Sequence, residues 1–266
     1  MGQDRARSFG SVAALYDESR PGPPTGLGDE FGPLEGLDVL EVAAGTGLVT
    51  RFLFALGANV TTVEPDADMR AVLEARSPEV HSLSGTAEAL PVPDESFDVV
   101  VTSSAWHWFD QPDAAHEFAR VLRDGGRLYV LGNSLDRDHQ WLEDLAALRD
   151  VNDQSWGARR AKESASDLTD EFVTPRDIAI DWTWTRTHDQ LVQLFYTYSG
   201  VITAAGEERR EVESKVRSEL ARLAPEGTLE VPMVLRGVQS TRRARDRSGD
   251  HPHGHGARDG GPCVDP

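Results

Sequence analysis

The 266-residue chain lacks several features that define broad protein classes. It has a single cysteine, Cys263, so no disulfide can form within the chain and nothing indicates an oxidising compartment. No apolar run reaches the roughly 18 residues of a membrane-spanning helix, and the N-terminus lacks the apolar segment of a signal peptide. We therefore expect a cytoplasmic protein that makes no membrane contact.

Basic residues are also scarce, with 27 Lys and Arg against 45 Asp and Glu, so the formal net charge is −18. Such an acidic surface repels phosphate backbones, and nucleic-acid binding is not expected. The length suits one domain with insertions or two small domains, and it is sufficient to bury a full core. The sequence indicates no particular oligomeric state.

What the sequence has is a regular alternation of strand-like and helix-like segments. Apolar strand patterns occur at residues 37–42, 59–64, 79–85, 97–104 and 127–132, with amphipathic helical patterns between them. Asp66 can cap the helix after the second strand, and we expect Gly125 just past the end of the helix that begins at Pro112. Residues 177–187 and 228–241 resemble two later strands, separated by helical patterns at 189–199 and 207–224. This order predicts an α/β fold with a doubly wound parallel sheet, to which the late strands add an antiparallel edge.

We divide the chain into four parts. Residues 1–36 are a lead-in or lid with a short helix at 8–19, residues 37–132 are the ligand-binding core, and residues 133–240 carry substrate-side helices and the late strands. Residues 241–266 are rich in Gly, Pro and charge and predict a disordered tail. Its "HPHGHG" stretch could hold a metal weakly, but a solvated tail is the simpler interpretation, and no metal site is predicted.

The turn after the first strand discriminates between ligands. A strand, a glycine loop and a helix place backbone N–H groups around a ligand, but a dinucleotide site needs a third glycine where Thr50 stands. A P-loop would need Lys followed by Ser or Thr, which the segment lacks. Glu41 ends the strand and would repel a pyrophosphate. The pattern favours a ligand that is cationic near Glu41.

A second carboxylate lies at the end of the second strand. Glu64 follows Gly47 by seventeen residues, and it can accept hydrogen bonds from both hydroxyls of a ribose. S-adenosylmethionine meets both requirements, because it carries an ammonium, a sulfonium and a free ribose but no phosphate. We therefore predict S-adenosylmethionine as the cofactor.

Several stretches of the chain resemble the motifs of a known family. "VLEVAAGTG", "VEPDADM", "GTAEALPVPDESFDVVVTSSAWHWFD" and "EFARVLRDGGRLYVL" resemble successive motifs of class I S-adenosylmethionine-dependent methyltransferases. The most similar group is the type 11 small-molecule branch, which includes ubiquinone/menaquinone and trans-aconitate methyltransferase-like proteins. "YDESRPGPP" resembles the lead-in of that branch. The resemblance implies a Rossmann-like, three-layer αβα fold with seven strands, the last antiparallel.

The resemblance also implies a set of cofactor-binding residues. Family members usually have Gly where Ala43 stands, so this position departs from the pattern. Thr102 and Ser103 match the end of the fourth strand, near the transferable methyl group. The full implied set is Glu41, Ala43, Gly45, Gly47, Glu64, Asp66, Met69, Thr86, Ala87, Glu88, Thr102 and Ser103.

Candidate acceptor contacts come from the lead-in and from the "AWHWFD" stretch. His107 could act as a general base or bond a substrate oxygen, or it could be a loop histidine between packed tryptophans. Trp106 shares that rim. Tyr16 and Arg20 could close over cofactor and substrate, or they could be scaffold.

The predicted function is methyl transfer from S-adenosylmethionine to an unidentified small-molecule acceptor by in-line displacement. Alignment by the protein can supply about 7–11 kcal/mol of the barrier, so a general base is not essential. Two alternatives remain open. One is a non-catalytic protein that binds an adenosyl ligand, and the other is a nicotinamide-dependent oxidoreductase.

Overall fold

The structure is a computed structural model that describes residues 7–149 and 168–244. The polar stretch 150–167 and residues 245–266 lie outside the described residues, and they include "HPHGHG" and almost all of the predicted tail. Ordered structure reaches beyond residue 241, because Arg242 is 3% exposed and its Nη1 donates to the carbonyl oxygen of Leu122.

The first half of the chain contains the predicted alternation. A 3₁₀ turn at Arg7–Val12 precedes α1 (Ala13–Ser19) and α2 (Leu27–Phe31). The strands and helices that follow are β1 (Asp38–Val42), α3 (Leu48–Ala55), β2 (Asn59–Val63), α4 (Ala67–Arg76), β3 (His81–Leu83), β4 (Phe97–Ser103), a 3₁₀ turn at Trp106–Trp108, α5 (Gln111–Val121) and β5 (Leu122–Leu135).

The second half adds two long strands and four helices within the described ranges. They are α6 (Gln140–Arg149), β6 (Arg176–Thr187), α7 (His188–Phe195), α8 (Ser199–Ile202), α9 (Gly206–Leu223) and β7 (Thr228–Thr241). None of the helices in the described ranges is both long and apolar enough to cross a membrane.

All seven strands form one sheet in the order β3-β2-β1-β4-β5-β7-β6. β1 to β5 pair in parallel, whereas β7 pairs antiparallel with both β5 and β6. The predicted Rossmann-like sheet with an antiparallel last strand is therefore confirmed. The strand order reverses between β1 and β4, and a crevice opens at such a point beyond the carboxyl ends of the strands.

Helices cover both faces of the sheet and give the three layers. Phe118 of α5 packs with Val100 and Val130 on one face, while Phe31 and Leu53 pack on the other. A third apolar cluster joins α6, α7 and α9 to the extensions of β6 and β7. The core thus holds β1, β2 and β4 rigidly, which fixes the positions of the loops that follow them.

Two local predictions about helix ends have different outcomes. Asp66 caps α4 as expected, because its carboxylate accepts the N–H groups of Asp68 and Met69 at 3.0 Å. Gly125 was expected to end the helix α5, and this is wrong. The helix ends at Val121, and Gly125 (φ +75°) instead turns the chain inside β5, where its N–H reaches the carbonyl oxygen of Arg242.

Candidate active site

A cavity of about 750 Å³ lies at the crevice where the strand order reverses. It brings together thirteen of the predicted site residues: Tyr16, Arg20, Ala43, Gly45, Glu64, Asp66, Met69, Thr86, Ala87, Glu88, Ser103, Trp106 and His107. Three predicted residues are absent from its wall, namely Glu41, Gly47 and Thr102. Its size is in the range of small-molecule sites.

The glycine turn after β1 depends on left-handed backbone at three positions. Ala43, Gly45 and Gly47 have φ values of 56°, 58° and 85°. A Cβ atom on Gly45 would meet nothing within 4 Å, so the space beside this backbone is open to a ligand, whereas one on Gly47 would lie 3.0 Å from Leu73. For Ala43 this conformation costs about 1–2 kcal/mol, a cost that a glycine at this position would not incur.

Glu64 lies beside the glycine turn and lines the cavity with it. Its Oε2 accepts the N–H of Gly45 at 2.7 Å, and its Oε1 accepts the N–H of Asp66 at 2.9 Å. Burial raises the pKa of this carboxyl, while the two amide hydrogen bonds oppose the rise. The carboxylate is therefore held in one orientation at the junction of the two βα turns.

Glu41 lies behind this wall rather than in it. Its side chain is buried beneath α3, where its Oε2 accepts the hydroxyl of Thr50 at 2.5 Å. Burial, reinforced by the nearby Glu64, raises the pKa of Glu41 to about 8. The carboxyl of the ligand-free protein is thus mainly protonated at neutral pH. The sequence predicts that Glu41 faces the crevice, but its side chain is instead buried against Thr50 and does not line the cavity.

The loop after β3 closes the cavity beside α4. Gly85 has no room for a side chain, because a Cβ would lie 2.7 Å from Cδ of Pro91. Ala87 is buried in the core, and Glu88 accepts the N–H of Asp110 through Oε1 at 2.9 Å. Thr86 to Glu88 are thereby tied both to the core and to the start of α5.

The end of β4 separates two predicted neighbours. Thr102 is fully buried, and no described residue hydrogen-bonds its hydroxyl, whereas Ser103 reaches the cavity. Ser104 then adopts φ +57° and donates its N–H to Leu131 at 2.7 Å. Strand alternation explains the split, since successive side chains point to opposite faces.

The short 3₁₀ turn after β4 supplies aromatic residues. Trp106 is 2% exposed and packs against Phe109 and Phe118 with ring centroids 6.0 Å apart, so it both lines the cavity and fills the core. The ring of His107 lies 4.7 Å from that of Trp108, and both reach the cavity. His107 is therefore placed where a substrate proton could be exchanged.

Tyr16 and Arg20 reach the cavity from the lead-in. The Arg20 guanidinium lies between two aromatic rings, 4.8 Å from the centre of Tyr16 and 4.3 Å from that of Tyr198. Its Nη2 also donates to the carbonyl oxygen of Thr197 at 2.8 Å. The arginine thus joins the N-terminal segment to the loop between α7 and α8.

Several cavity residues were not predicted as site residues. Asn133 donates to the carbonyl oxygen of Gly22 and accepts the indole N–H of Trp182, so it is fixed in the wall. No local motif marks such positions, because their role depends on the approach of distant segments. The further residues of this kind include Phe9, Pro65, Trp108, Arg137, Asp177 and Arg236.

The residues that the structure describes contain no group of three or more His, Cys, Asp or Glu that could hold a metal ion.

Comparisons with known proteins agree with this geometry. Residues 40–130 match the family model described as "Methyltransferase domain". An uncharacterized methyltransferase of Mycobacterium tuberculosis is 34% identical over 242 residues, 90% of this chain and 97% of the relative. A demethylmenaquinone methyltransferase of Renibacterium salmoninarum is 36% identical over 134 residues, 47% of this chain and 56% of the relative.

Solved structures show the same fold at lower identity. A protein of Anaeromyxobacter dehalogenans described as a type II methyltransferase has a TM-score of 0.62 at 20% identity, covering 84% of this chain and 97% of that one. A phosphoethanolamine N-methyltransferase of Haemonchus contortus, in complex with S-adenosylhomocysteine, has a TM-score of 0.52 at 14% identity, covering 91% and 59%. With a relative this similar over nearly the whole chain, the protein belongs to the class I S-adenosylmethionine-dependent methyltransferases.

Proposed function

We propose that S-adenosylmethionine binds in the cavity beside Gly45 and Glu64, and that a small-molecule acceptor binds next to it against the aromatic residues. The observation that carries the proposal is the Glu64 carboxylate, held by two amide N–H groups at the edge of an open space that faces Gly45. A carboxylate has about four acceptor positions on its two oxygens. Two of them are left for the hydroxyls of a ribose.

The charge of the cavity supports this cofactor over one that carries phosphates. Glu64, Asp66 and Glu88 all line the cavity. These carboxylates would repel a pyrophosphate beside them, whereas they would attract a sulfonium and an ammonium. Thr50 also argues against a nicotinamide dinucleotide, because it occupies the position of the third glycine of a dinucleotide-binding motif. Its fully buried hydroxyl donates a hydrogen bond to Glu41 instead.

The proposed cofactor would lie across the ends of β1, β2 and β4. Gly45 and the neighbouring Ala43 would shape the methionine end, with Gly47 and Glu41 behind them, while Ser103 would border the transferable methyl group and the buried Thr102 would lie next to it in the core. The adenine would contact the apolar side chain of Met69 and the residues around it: Asp66, Thr86, Ala87 and Glu88. This assignment follows the family pattern residue by residue.

Bound S-adenosylmethionine would supply an electrophilic methyl group for in-line displacement. The chain's task is to hold the acceptor in line with that group, which is worth about 7–11 kcal/mol of the barrier. His107 is the candidate to take a proton from an acceptor that has one, which would add roughly 10²–10⁴-fold. Tyr16, Arg20 and Trp106 are proposed to contact the acceptor.

The acceptor is proposed to be a small molecule because the cavity has the size of a small-molecule site. The net charge of −18 opposes the approach of a nucleic acid. We also retain a cytoplasmic location as a prediction from the composition, and the four-part division of the chain as a working scheme.

Calorimetric titration with S-adenosylmethionine, S-adenosylhomocysteine and NADH, side by side, tests the proposal. We expect micromolar binding of the first two and none of the third. Binding of NADH alone would overturn the cofactor assignment in favour of the oxidoreductase. Tight adenosyl binding with no methyl transfer to any of a broad set of acceptors would support a non-catalytic binding protein.

A further inference from the structure

The helix α1 lines the cavity through Tyr16 and is fixed there by a buried acid. The side chain of Asp17 is 7% exposed. Its Oδ1 contacts Nη2 of Arg51 at 2.7 Å, and its Oδ2 contacts Nε of Arg76 at 3.4 Å. The two arginines belong to α3 and α4, the helices that follow β1 and β2. One carboxylate therefore joins the lead-in to both βα units of the cofactor site.

Arg51 carries the connection into the turn itself. Its Nη1 donates to the carbonyl oxygen of Thr46 at 3.0 Å, and a Cβ on Gly47 would lie 3.5 Å from the same nitrogen. Thr46 directly follows Gly45, whose N–H bonds Glu64. Fixing the Thr46 carbonyl thus limits the rotation of the backbone that holds Glu64.

The same helix is attached on the far side of the cavity by a different contact. Arg20, just past the end of α1, donates to the carbonyl oxygen of Thr197 and stacks on Tyr198. The N-terminal segment is consequently fastened to both walls, by an ion pair on the glycine side and by an arginine–tyrosine contact on the other.

We propose that Asp17 is a positioning residue for the cofactor, which acts through Arg51 to fix the glycine turn when α1 lies over the cavity. This inference rests on the proposed function of the cavity. Asp17 touches no ligand in this scheme. It sets the backbone at Thr46 and therefore the direction in which Gly45 and Glu64 meet the ligand.

The first test compares Asp17→Asn with Glu18→Gln, a matched control at the exposed neighbouring position of the same helix. The probe is S-adenosylhomocysteine, with its affinity measured by calorimetry and its dissociation rate by stopped-flow tryptophan fluorescence, well below the melting temperature. We expect Asp17→Asn to weaken binding about tenfold, mainly through faster dissociation. Glu18→Gln should bind as wild type does. Wild-type binding by Asp17→Asn would overturn the inference.

A double-mutant cycle shows whether Asp17 acts through Arg51. Arg51→Gln alone should weaken binding, and Asp17→Asn should add little to it, because the connection is already broken. Fully additive losses would contradict the proposed connection. A merely structural role would lower the melting temperature of each variant without producing this coupling in ligand affinity.

Hydrogen–deuterium exchange of the ligand-free protein separates this inference from the proposed function. We expect faster exchange in Asp17→Asn at both residues 13–19 and residues 43–50, and no change in Glu18→Gln. If exchange becomes faster in both segments but the protein binds no S-adenosylhomocysteine, the cofactor proposal is wrong, whereas the connection between Asp17 and the glycine turn is retained. Tight binding, together with exchange confined to residues 13–19, would sink the role of Asp17 in positioning the turn.

Discussion

The two walls of the cavity are built in different ways. The wall around Glu64 comes from two consecutive βα turns, between Glu41 and Met69, and it consists of backbone N–H groups, small residues and carboxylates. The opposite wall is aromatic and comes from three separate parts of the chain: the lead-in with Phe9 and Tyr16, the turn after β4 with Trp108, and the loop before α8 with Tyr198.

This difference indicates what each wall does. A wall of fixed backbone groups and acids can bind one ligand chemistry in one orientation, which suits a cofactor common to many related proteins. A wall of side chains from distant segments can change shape by substitution without disturbing the sheet, which suits a variable acceptor.

The largest effect is expected at Glu64. Glu64→Ala should lower the affinity for S-adenosylhomocysteine at least about 100-fold, because two hydrogen bonds to a charged acceptor are lost at about 1.5–3 kcal/mol each. Calorimetry measures the loss. Glu74→Ala, which removes a half-exposed acid from the adjoining helix α4, is the control and should bind normally. Wild-type affinity in Glu64→Ala would contradict the proposal that the wall around Glu64 binds the cofactor.

The next effect is a pH dependence of stability caused by Glu41. Burial raises the pKa of Glu41 from its ordinary value of 4.5 to about 8 in the folded protein, so the folded state holds a proton that the unfolded state releases above about pH 4.5. Folding is therefore favoured at low pH, and that contribution is lost as the pH rises towards about 8.

Glu41→Gln removes this titration. The free energy of unfolding of the variant, relative to wild type, should rise by roughly 1 kcal/mol per pH unit between pH 5 and about 8, because one proton is involved. Urea unfolding at several pH values measures the difference. Glu74→Gln should show no such trend, and a flat difference for Glu41→Gln would mean that the buried acid is ionised in the folded protein.

The smallest effect is expected on the aromatic wall. Tyr198→Leu removes one ring from Arg20 and should cost about 0.5–1 kcal/mol of stability, while the affinity for S-adenosylhomocysteine stays within about twofold. Thermal melting and calorimetry measure the two quantities. Tyr196→Leu controls for loss of a ring from the same segment outside the cavity wall. A loss of affinity comparable to that of Glu64→Ala would abolish the division between the two walls.

Much of the wall around Glu64 could be predicted because its determinants are local. The left-handed φ values at Gly45 and Gly47 are ones that glycine tolerates, and the cap at Asp66 is set within three residues of sequence. The end of α5 was predicted wrongly because the left-handed backbone of Gly125 is compatible both with a helix end and with a turn inside a strand. Pairing of β5 with β4 decided that Gly125 forms a turn inside β5.

The sequence by itself determined the alternation of strands and helices, the glycine turn and the acids at the ends of β1 and β2, since each depends on residues close together in the chain. The tertiary structure alone decided that Glu41 is buried against Thr50, that Asp17 reaches Arg51 and that Tyr198 meets Arg20. These contacts join segments that only the packing of helices on the sheet brings together, and burial, not residue type, sets their electrostatics.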